Sequence, residues 1–406
     1  MSRDYKESRR TQKEKKEIIN LEQMNLNDYF DPVTLERPDE KKMLNPHLFC
    51  KNIAVHTPDN SITDIQQFDL AIIGIKEGRN SYHEDCGNAP DKVREKLYEL
   101  IKSPGNTRII DLGNLKIPHT LSDTHYGMKD VLVFLLNQGV IPILIGGGKN
   151  LSFGAYLAQE SLLEKVNIVN IDSELPFQYN HDPDFKYFLD SILERKHNLF
   201  QFTSLGYQSC LVNQENIKNL EKLDFTTTRI GMVRANFNEI EPEIRDADII
   251  NLSLSSVKQT DAPGQIYPSP NGFYSEEACQ IARYAGLSNK KAIFGIYDIY
   301  PKNDVNNQTA HLGAQIIWYF IEGYYYRKRE NLQDLNKEFK KFIVNLNEKG
   351  HDLIFYKNLK SLRWWLEIPS IEKKEKIVIA CSENDYKKAC SHEIPGRWLK
   401  IFQKIN

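Results

Sequence analysis

Cysteine is scarce and scattered in this chain of 406 residues: six in all, none in a CxxC pair. Cys50, Cys86, Cys210, Cys279, Cys381 and Cys390 lie far apart, which argues against a disulfide framework or a zinc site. Reduced thiols in a cytoplasmic setting are the expectation. No apolar run approaches the roughly 20 residues of a membrane span, and the N-terminal MSRDYKESRRTQKEKKEIIN has no apolar segment of signal-peptide type. Charge of one sign is missing too. Lys and Arg number 53 against 55 Asp and Glu, a net charge of −2, so no global field favours nucleic acid or an anionic membrane. The ten histidines include no HxH or HExxH spacing. His83, His125 and His181 fall in expected loops or helix starts, where solvated rings are the plain reading. No Gly-x-Ser-x-Gly nucleophile elbow and no Cys–His arrangement appears.

What is present is a long alternation. Residues 1–20 are too polar and charged to bury a face and read as a frayed tail, followed by a lead-in segment over 21–67. From Phe68 to Arg329, short runs rich in Ile, Val and Leu alternate with amphipathic stretches. The runs at 68–75, 107–115, 140–147, 166–173, 199–207, 228–235, 247–255 and 291–300 are the strand candidates. APDKVREKLYELIK, DTHYGMKDVLVFLLNQG, SEEACQIARYAG and TAHLGAQIIWYFIEGYYYR are the helices, with Gly139 and Gly286 where C-caps belong. Strands apolar on both faces, each followed by a helix, predict an α/β domain with a mainly parallel sheet of about eight strands; periodicity alone does not separate an open sheet from a closed barrel. With 40% hydrophobic residues the chain has material for one large core or two moderate ones.

After Arg329 the pattern breaks. A charged stretch, NLQDLNKEFKKFIVNLNEK, reads as a helix, followed by the runs DLIFYKN, RWWLEIP and KIVIACS. Residues 330–406 thus read as a small α+β appendage, fastened to the main domain by Trp364, Trp365 and Trp398.

In parallel α/β sheets chemistry collects at the carboxyl ends of strands. Three such ends are informative here. Ile145-Gly146-Gly147-Gly148-Lys149-Asn150 lacks P-loop spacing. Asn170-Ile171-Asp172-Ser173-Glu174-Leu175-Pro176 sets two carboxylates on one side of an extended segment. Asn251-Leu252-Ser253-Leu254-Ser255-Ser256 is followed by Thr260-Asp261-Ala262-Pro263-Gly264.

These segments, in this order, resemble the ureohydrolases, the family of arginase, agmatinase and formimidoylglutamase. Gly87-Asn88-Ala89-Pro90 with Arg94 is similar to an early segment of that family. Gly146-Gly147-Gly148-Lys149 stands where the family writes GG(D/G)H, Asp172 to Pro176 where it writes D-x-H-x-D, and Ser253-Leu254-Ser255 where it writes D-x-D. Asp261-Ala262-Pro263-Gly264 continues in the style of formimidoylglutamases. Asn271 to Glu277 matches a helix start that carries a substrate-binding glutamate, and Gln308-Thr309-Ala310 matches the closing helix. The resemblance runs from about Phe68 to Arg327. It implies the open three-layer α/β/α fold rather than the barrel, and an oligomer.

The departures govern the functional expectation. In the family two manganese ions, held by two histidines and four aspartates, generate a hydroxide. The matching positions here hold Lys149, Asp172, Glu174, Pro176, Ser253 and Ser255, of which only Asp172 is retained. An ammonium repels a cation, proline offers no donor, and serine hydroxyls are poor ligands for Mn²⁺. Clustered aspartates without cations repel one another, so their removal alongside the arrival of a lysine is electrostatically consistent. Lys149 is therefore expected to pair with Asp172 or Glu174. The implied protein is a pseudoenzyme of this family, without metal or catalytic residues, assembling with itself or a paralogue. A degenerate cleft of Lys149, Asp172, Glu174, Ser253, Ser255, Asp261 and Glu277 would remain, with room for a small amine or guanidine. Two alternatives stay open: a two-manganese hydrolase of a linear amidine, drawing on Asp261 and Glu277, and metal-independent chemistry at Lys149, Asp172 and Glu174.

Overall fold

The computed structural model describes residues 24–34, 44–177, 187–195, 197–332, 338–346, 352–370 and 376–406. The charged tail at 1–20 and His181 lie outside these residues.

The main sheet is built from β1 (Phe30–Asp31), β2 (Ala54–Val55), β3 (Leu70–Ile75), β4 (Ile109–Leu115), β5 (Ile141–Ile145), β6 (Val166–Ile171), β7 (Leu199–Tyr207), β8 (Thr226–Arg229), β9 (Ile249–Ser253) and β10 (Ile293–Tyr297). Its order is β1-β4-β3-β5-β10-β9-β6-β7-β8, with β2 beside β4, and every pairing is parallel except β1 with β4. The expected open, mainly parallel sheet is what forms. It is wider than eight strands because the lead-in segment adds two two-residue strands at one edge. The central strands β3, β5, β9 and β10 are buried along their whole length, which is why β3, β5 and β10 read as apolar runs, while β9 buries the polar Asn251 and Ser253 as well. Two apolar layers, one on each face, make the core.

Helices α1 (Ala89–Tyr98), α2 (Leu121–Asn137), α3 (Ser152–Leu162), α4 (Phe188–Leu193), α5 (Gln214–Lys222), α6 (Ile230–Ala235), α7 (Glu241–Asp246), α8 (Ser275–Gly286) and α9 (Gln308–Tyr326) join these strands. Helix α1 is pinned to the sheet by Arg94, which is fully buried. Its Nε donates to both Asp111 oxygens at 3.2 and 2.9 Å, Nη1 to Asn114 Oδ1 at 2.5 Å and Nη2 to the Gly113 carbonyl at 2.6 Å. Tyr98 donates to the same Asp111 carboxylate at 2.9 Å.

Three local readings are corrected. The run at 228–235 is not a strand: β8 ends at Arg229 and α6 follows, because Ile230 and Val233 are the buried positions and their three-residue spacing is helical. Residues 339–345, expected within a charged helix, form β11 (Phe339–Asn345), in which Phe342 and Val344 turn inward and Lys341, Ile343 and Asn345 outward. Gly139 takes the left-handed conformation (φ +83°) just past α2, as a C-cap glycine should, whereas Gly286 is the last residue of α8 and serves closeness instead. A Cβ there would lie 2.1 Å from the Phe320 carbonyl of α9.

Strand β11 opens a separate antiparallel sheet with β12 (Asp352–Asn358), β13 (Trp364–Pro369) and β14 (Lys376–Cys381), in the order β11-β12-β13-β14, followed by α10 (Glu383–Cys390) and α11 (Gly396–Ile405). Trp364, Trp365 and Trp398 are all buried. The joint to the main domain includes Arg245 of α7, whose guanidinium lies 4.3 Å from the Trp365 ring centroid and donates to the carbonyls of Trp364 (3.2 Å) and Cys381 (3.3 Å), and the pair Arg397–Glu243 at 2.9 Å.

Candidate functional site

Four neighbouring strands, β5, β10, β9 and β6, bring polar residues together at their carboxyl ends. Lys149 follows β5 across the glycine triplet. The triplet is needed because the 77–81 loop packs onto it: a Cβ on Gly147 would lie 1.8 Å from the Glu77 carbonyl, and one on Gly148 would lie 2.7 Å from Ser81 Cβ. Asp298 follows β10 in a left-handed conformation (φ +61°) that aspartate tolerates better than most residues. Ser253 ends β9, with Ser255 in the tight turn after it, and Asp172 and Glu174 follow β6.

The Lys149 ammonium lies 2.8 Å from Asp172 Oδ2 and 3.4 Å from Glu174 Oε2, the pairing expected from charge. Ser255 donates to Asp172 Oδ1 (2.7 Å), Ser253 Oγ lies 2.6 Å from Asp298 Oδ2, and the two serine oxygens are 2.7 Å apart. The Lys149 amide donates to Asp298 Oδ1 at 3.2 Å. Three short oxygen–oxygen contacts thus link Asp172 to Asp298 through hydroxyls that own only two protons. The chain is complete when the Asp298 carboxyl is protonated and donates to Ser253, leaving Ser253 to donate to Ser255 and Ser255 to Asp172. Burial pushes Asp298 up to about 6, with Asp172 repelling its charged form and Lys149 opposing the rise. For Lys149, burial acts to lower the pKa, but Asp172, then Glu174 and Asp298, outweigh it and hold the ammonium well above the usual lysine range.

Tyr82 covers this cluster. Its hydroxyl donates to Glu174 Oε2 at 2.7 Å, its ring lies 5.6 Å from Lys149 Nζ, and it meets Tyr267 edge-on with centroids 5.3 Å apart. On one side of Tyr82 is a pinched cavity of about 20 Å³ against Lys149, Pro176 and Tyr187. On the other is an open cleft of about 610 Å³ that includes Ser173, Glu174, Ser255, Asp298 and Tyr300.

The structure therefore joins Lys149, Asp172, Glu174, Ser253 and Ser255, with Pro176 alongside. It holds Asp261 and Glu277 elsewhere. Asp261 accepts from the Ser275 amide (2.9 Å) and hydroxyl (2.7 Å) at the start of α8. Glu277 accepts from the Tyr274 amide at 2.8 Å and pairs with Arg234 at 3.1 Å. Both are spent on organising the α8 N-terminus. His125 departs from the solvated reading: it packs edge-on against Phe153 and burial lowers its pKa to about 4. His83 caps the turn at 84–88, its Nδ1 accepting from the Asp85 amide at 3.0 Å. Asp298, Tyr82 and Tyr267 were not singled out from sequence. Only Asp298 carried a signal, a carboxylate directly after a central strand like Asp172.

These donors do not fit a pair of manganese ions. One ammonium sits between the two carboxylates of the β6 tip, and the β9 tip offers neutral hydroxyls already engaged with Asp172 and Asp298. Among the described residues no group of three or more His, Cys, Asp or Glu could hold a metal ion. No helix among them is long and apolar enough to cross a membrane.

Comparison with known proteins agrees with the fold. Formimidoylglutamase of Streptococcus gordonii is 22% identical over 293 residues, covering 65% of this chain and 87% of that protein. Among solved structures, formimidoylglutamase from Bacillus subtilis superposes with a TM-score of 0.62 at 16% identity, over 75% of this chain and 98% of its own. Trypanosoma cruzi formiminoglutamase with Mn²⁺₂ gives 0.61 at 16% identity, over 69% and 99%. The sequence profile of the arginase family matches residues 68–322, well over half of the chain. The chain is a member of the arginase family.

Proposed function

We propose that this chain is a non-catalytic member of its family, in which an ion pair and two serine hydroxyls stand in place of a metal centre, and that it serves binding, regulation or assembly with itself or a catalytic paralogue. The observation that carries the reading is the Lys149 ammonium, lodged 2.8 Å from Asp172 and 3.4 Å from Glu174. The arginase family is typically dimanganese-dependent. A buried positive charge at this point opposes two dications, and the hydroxyls of Ser253 and Ser255 supply no countercharge. The same carboxylates keep Lys149 protonated, which argues against an amine base or nucleophile there.

Elemental analysis after reconstitution with Mn²⁺, run beside formamide or urea release from formimidoylglutamate, agmatine and arginine, tests the reading. The expected result is far less than one ion per chain and no release above the blank. About two bound ions with turnover would overturn it in favour of a metal-dependent amidine hydrolase. Turnover in metal-free protein, lost in Lys149→Ala, would overturn it in favour of metal-independent chemistry.

A further inference from the structure

The floor of the open cleft is electrically unbalanced. Two carboxylates, Asp172 and Glu174, flank a single ammonium, Lys149, and the Asp298 carboxyl sits beside them on the Lys149 amide. Asp172 is sequestered, and Asp298 is engaged at both oxygens, by Ser253 and by the Lys149 amide. Glu174 differs. Lys149 and Tyr82 both reach the same oxygen, Oε2, and Oε1 accepts no hydrogen bond among the described residues. Its side chain is 29% exposed on the cleft of about 610 Å³. A carboxylate oxygen facing an open cleft, beside an excess of negative charge, selects for a cationic hydrogen-bond donor.

The walls say what the rest of that ligand should be. Leu211, Ile266, Pro268 and Tyr267 line the cleft with Glu174, and Tyr267 is 71% exposed. One tyrosine spans the gap between carboxylate and ring: Tyr82 touches Glu174 with its hydroxyl and Tyr267 with its ring edge. A ligand with an ammonium and an aryl group on a short tether has the same reach. The cleft is also within the ordinary size range for ligand pockets, roughly 300–1,000 Å³, and larger than a small linear amine would fill.

We propose that the cleft binds an arylalkylamine, its ammonium on Glu174 Oε1 and its ring against Tyr267. The proposal deepens the non-catalytic reading above and rests on Lys149, not metal, occupying the cleft floor.

Titration calorimetry on the full, chelator-treated chain tests it, with tyramine as probe and agmatine and uncharged 4-ethylphenol as controls. Tyramine should bind one per chain, more tightly than either control. Glu174→Gln should weaken it about tenfold or more, the usual scale for a hydrogen bond to a charged group. Tyr267→Ala, at an exposed position where folding is not at stake, should weaken tyramine several-fold, as loss of an aromatic contact does, and erase its advantage over agmatine. The proposal is overturned if 4-ethylphenol binds as well as tyramine, if Glu174→Gln binds tyramine normally, if Tyr267→Ala keeps the preference for tyramine, or if no amine binds. Manganese content distinguishes the two readings. Metal-free protein that ignores tyramine sinks only this inference, whereas protein that takes up manganese and turns over an amidine sinks the reading beneath it.

Discussion

Two of the buried ion pairs in the described residues differ in character. Beneath α1, Arg94 spends its guanidinium on Asp111, Asn114, a backbone carbonyl and Asp91, and Lys76 offsets the second carboxylate. At the strand tips, the Lys149 ammonium is shared by Asp172 and Glu174 on the wall of a cleft, Glu174 keeps an unengaged oxygen, and the adjoining Asp298 is pushed up to about 6. Both pairs are desolvated, but only the second is unbalanced. A balanced pair fixes the position of an element, whereas an unbalanced one retains a capacity to bind. That contrast, more than burial, separates structure from candidate function here.

The largest effect should come from breaking the balanced pair. Arg94→Met leaves Asp111 buried and unpaired, and should cost about 3–5 kcal/mol in chemical denaturation. The double variant with Asp111→Leu should recover part of this, since both charges are then gone. The next effect concerns Asp298 and depends on pH. Its pKa is raised by burial from 3.8 to about 6, so the folded state holds a proton between those values that the unfolded state releases. Wild-type stability should therefore fall as pH rises from about 4 to 7, and the rise corresponds to about 3 kcal/mol at about 1.36 kcal/mol per tenfold. Asp298→Asn should lack this slope, gaining on the wild type toward neutral pH. Parallel denaturation curves for the two proteins over that range would contradict the assignment. The smallest effect should be that of Tyr82→Phe, which removes the hydroxyl bonded to Glu174 and Tyr187 at the rim and should cost about 1–2 kcal/mol in chemical denaturation.

The sequence made legible whatever glycines and strand ends anchor. Lys149 and Asp172 were placed beside each other because a glycine triplet and a central strand leave little freedom in where those side chains go. Asp298 was hidden inside an apolar run read as a single strand over 291–300, although β10 stops at Tyr297. Tyr82 lies in a loop between β3 and α1, where no periodicity exists to read and only tertiary contact gives it a role. Asp261 and Glu277 show the converse failure: their segments were recognised, but the polar groups are taken up by the α8 N-terminus. Strand β11 was mistaken because Lys340 and Lys341 disguise its alternation, and lysines are a usual safeguard on an edge strand.

Arg245 has a consequence for how this protein can be shortened. Its guanidinium pairs with Glu241 in the main domain but spends Nη2 on carbonyls of the C-terminal appendage, and the neighbouring Asp246 carboxylate accepts from the Ala380 amide at 2.6 Å. Cutting after residue 329 would strip Arg245 and Asp246 of these partners and expose the Trp365 side of the joint. The appendage is a keystone, and a truncated version should be recovered as aggregate rather than as a minimal domain.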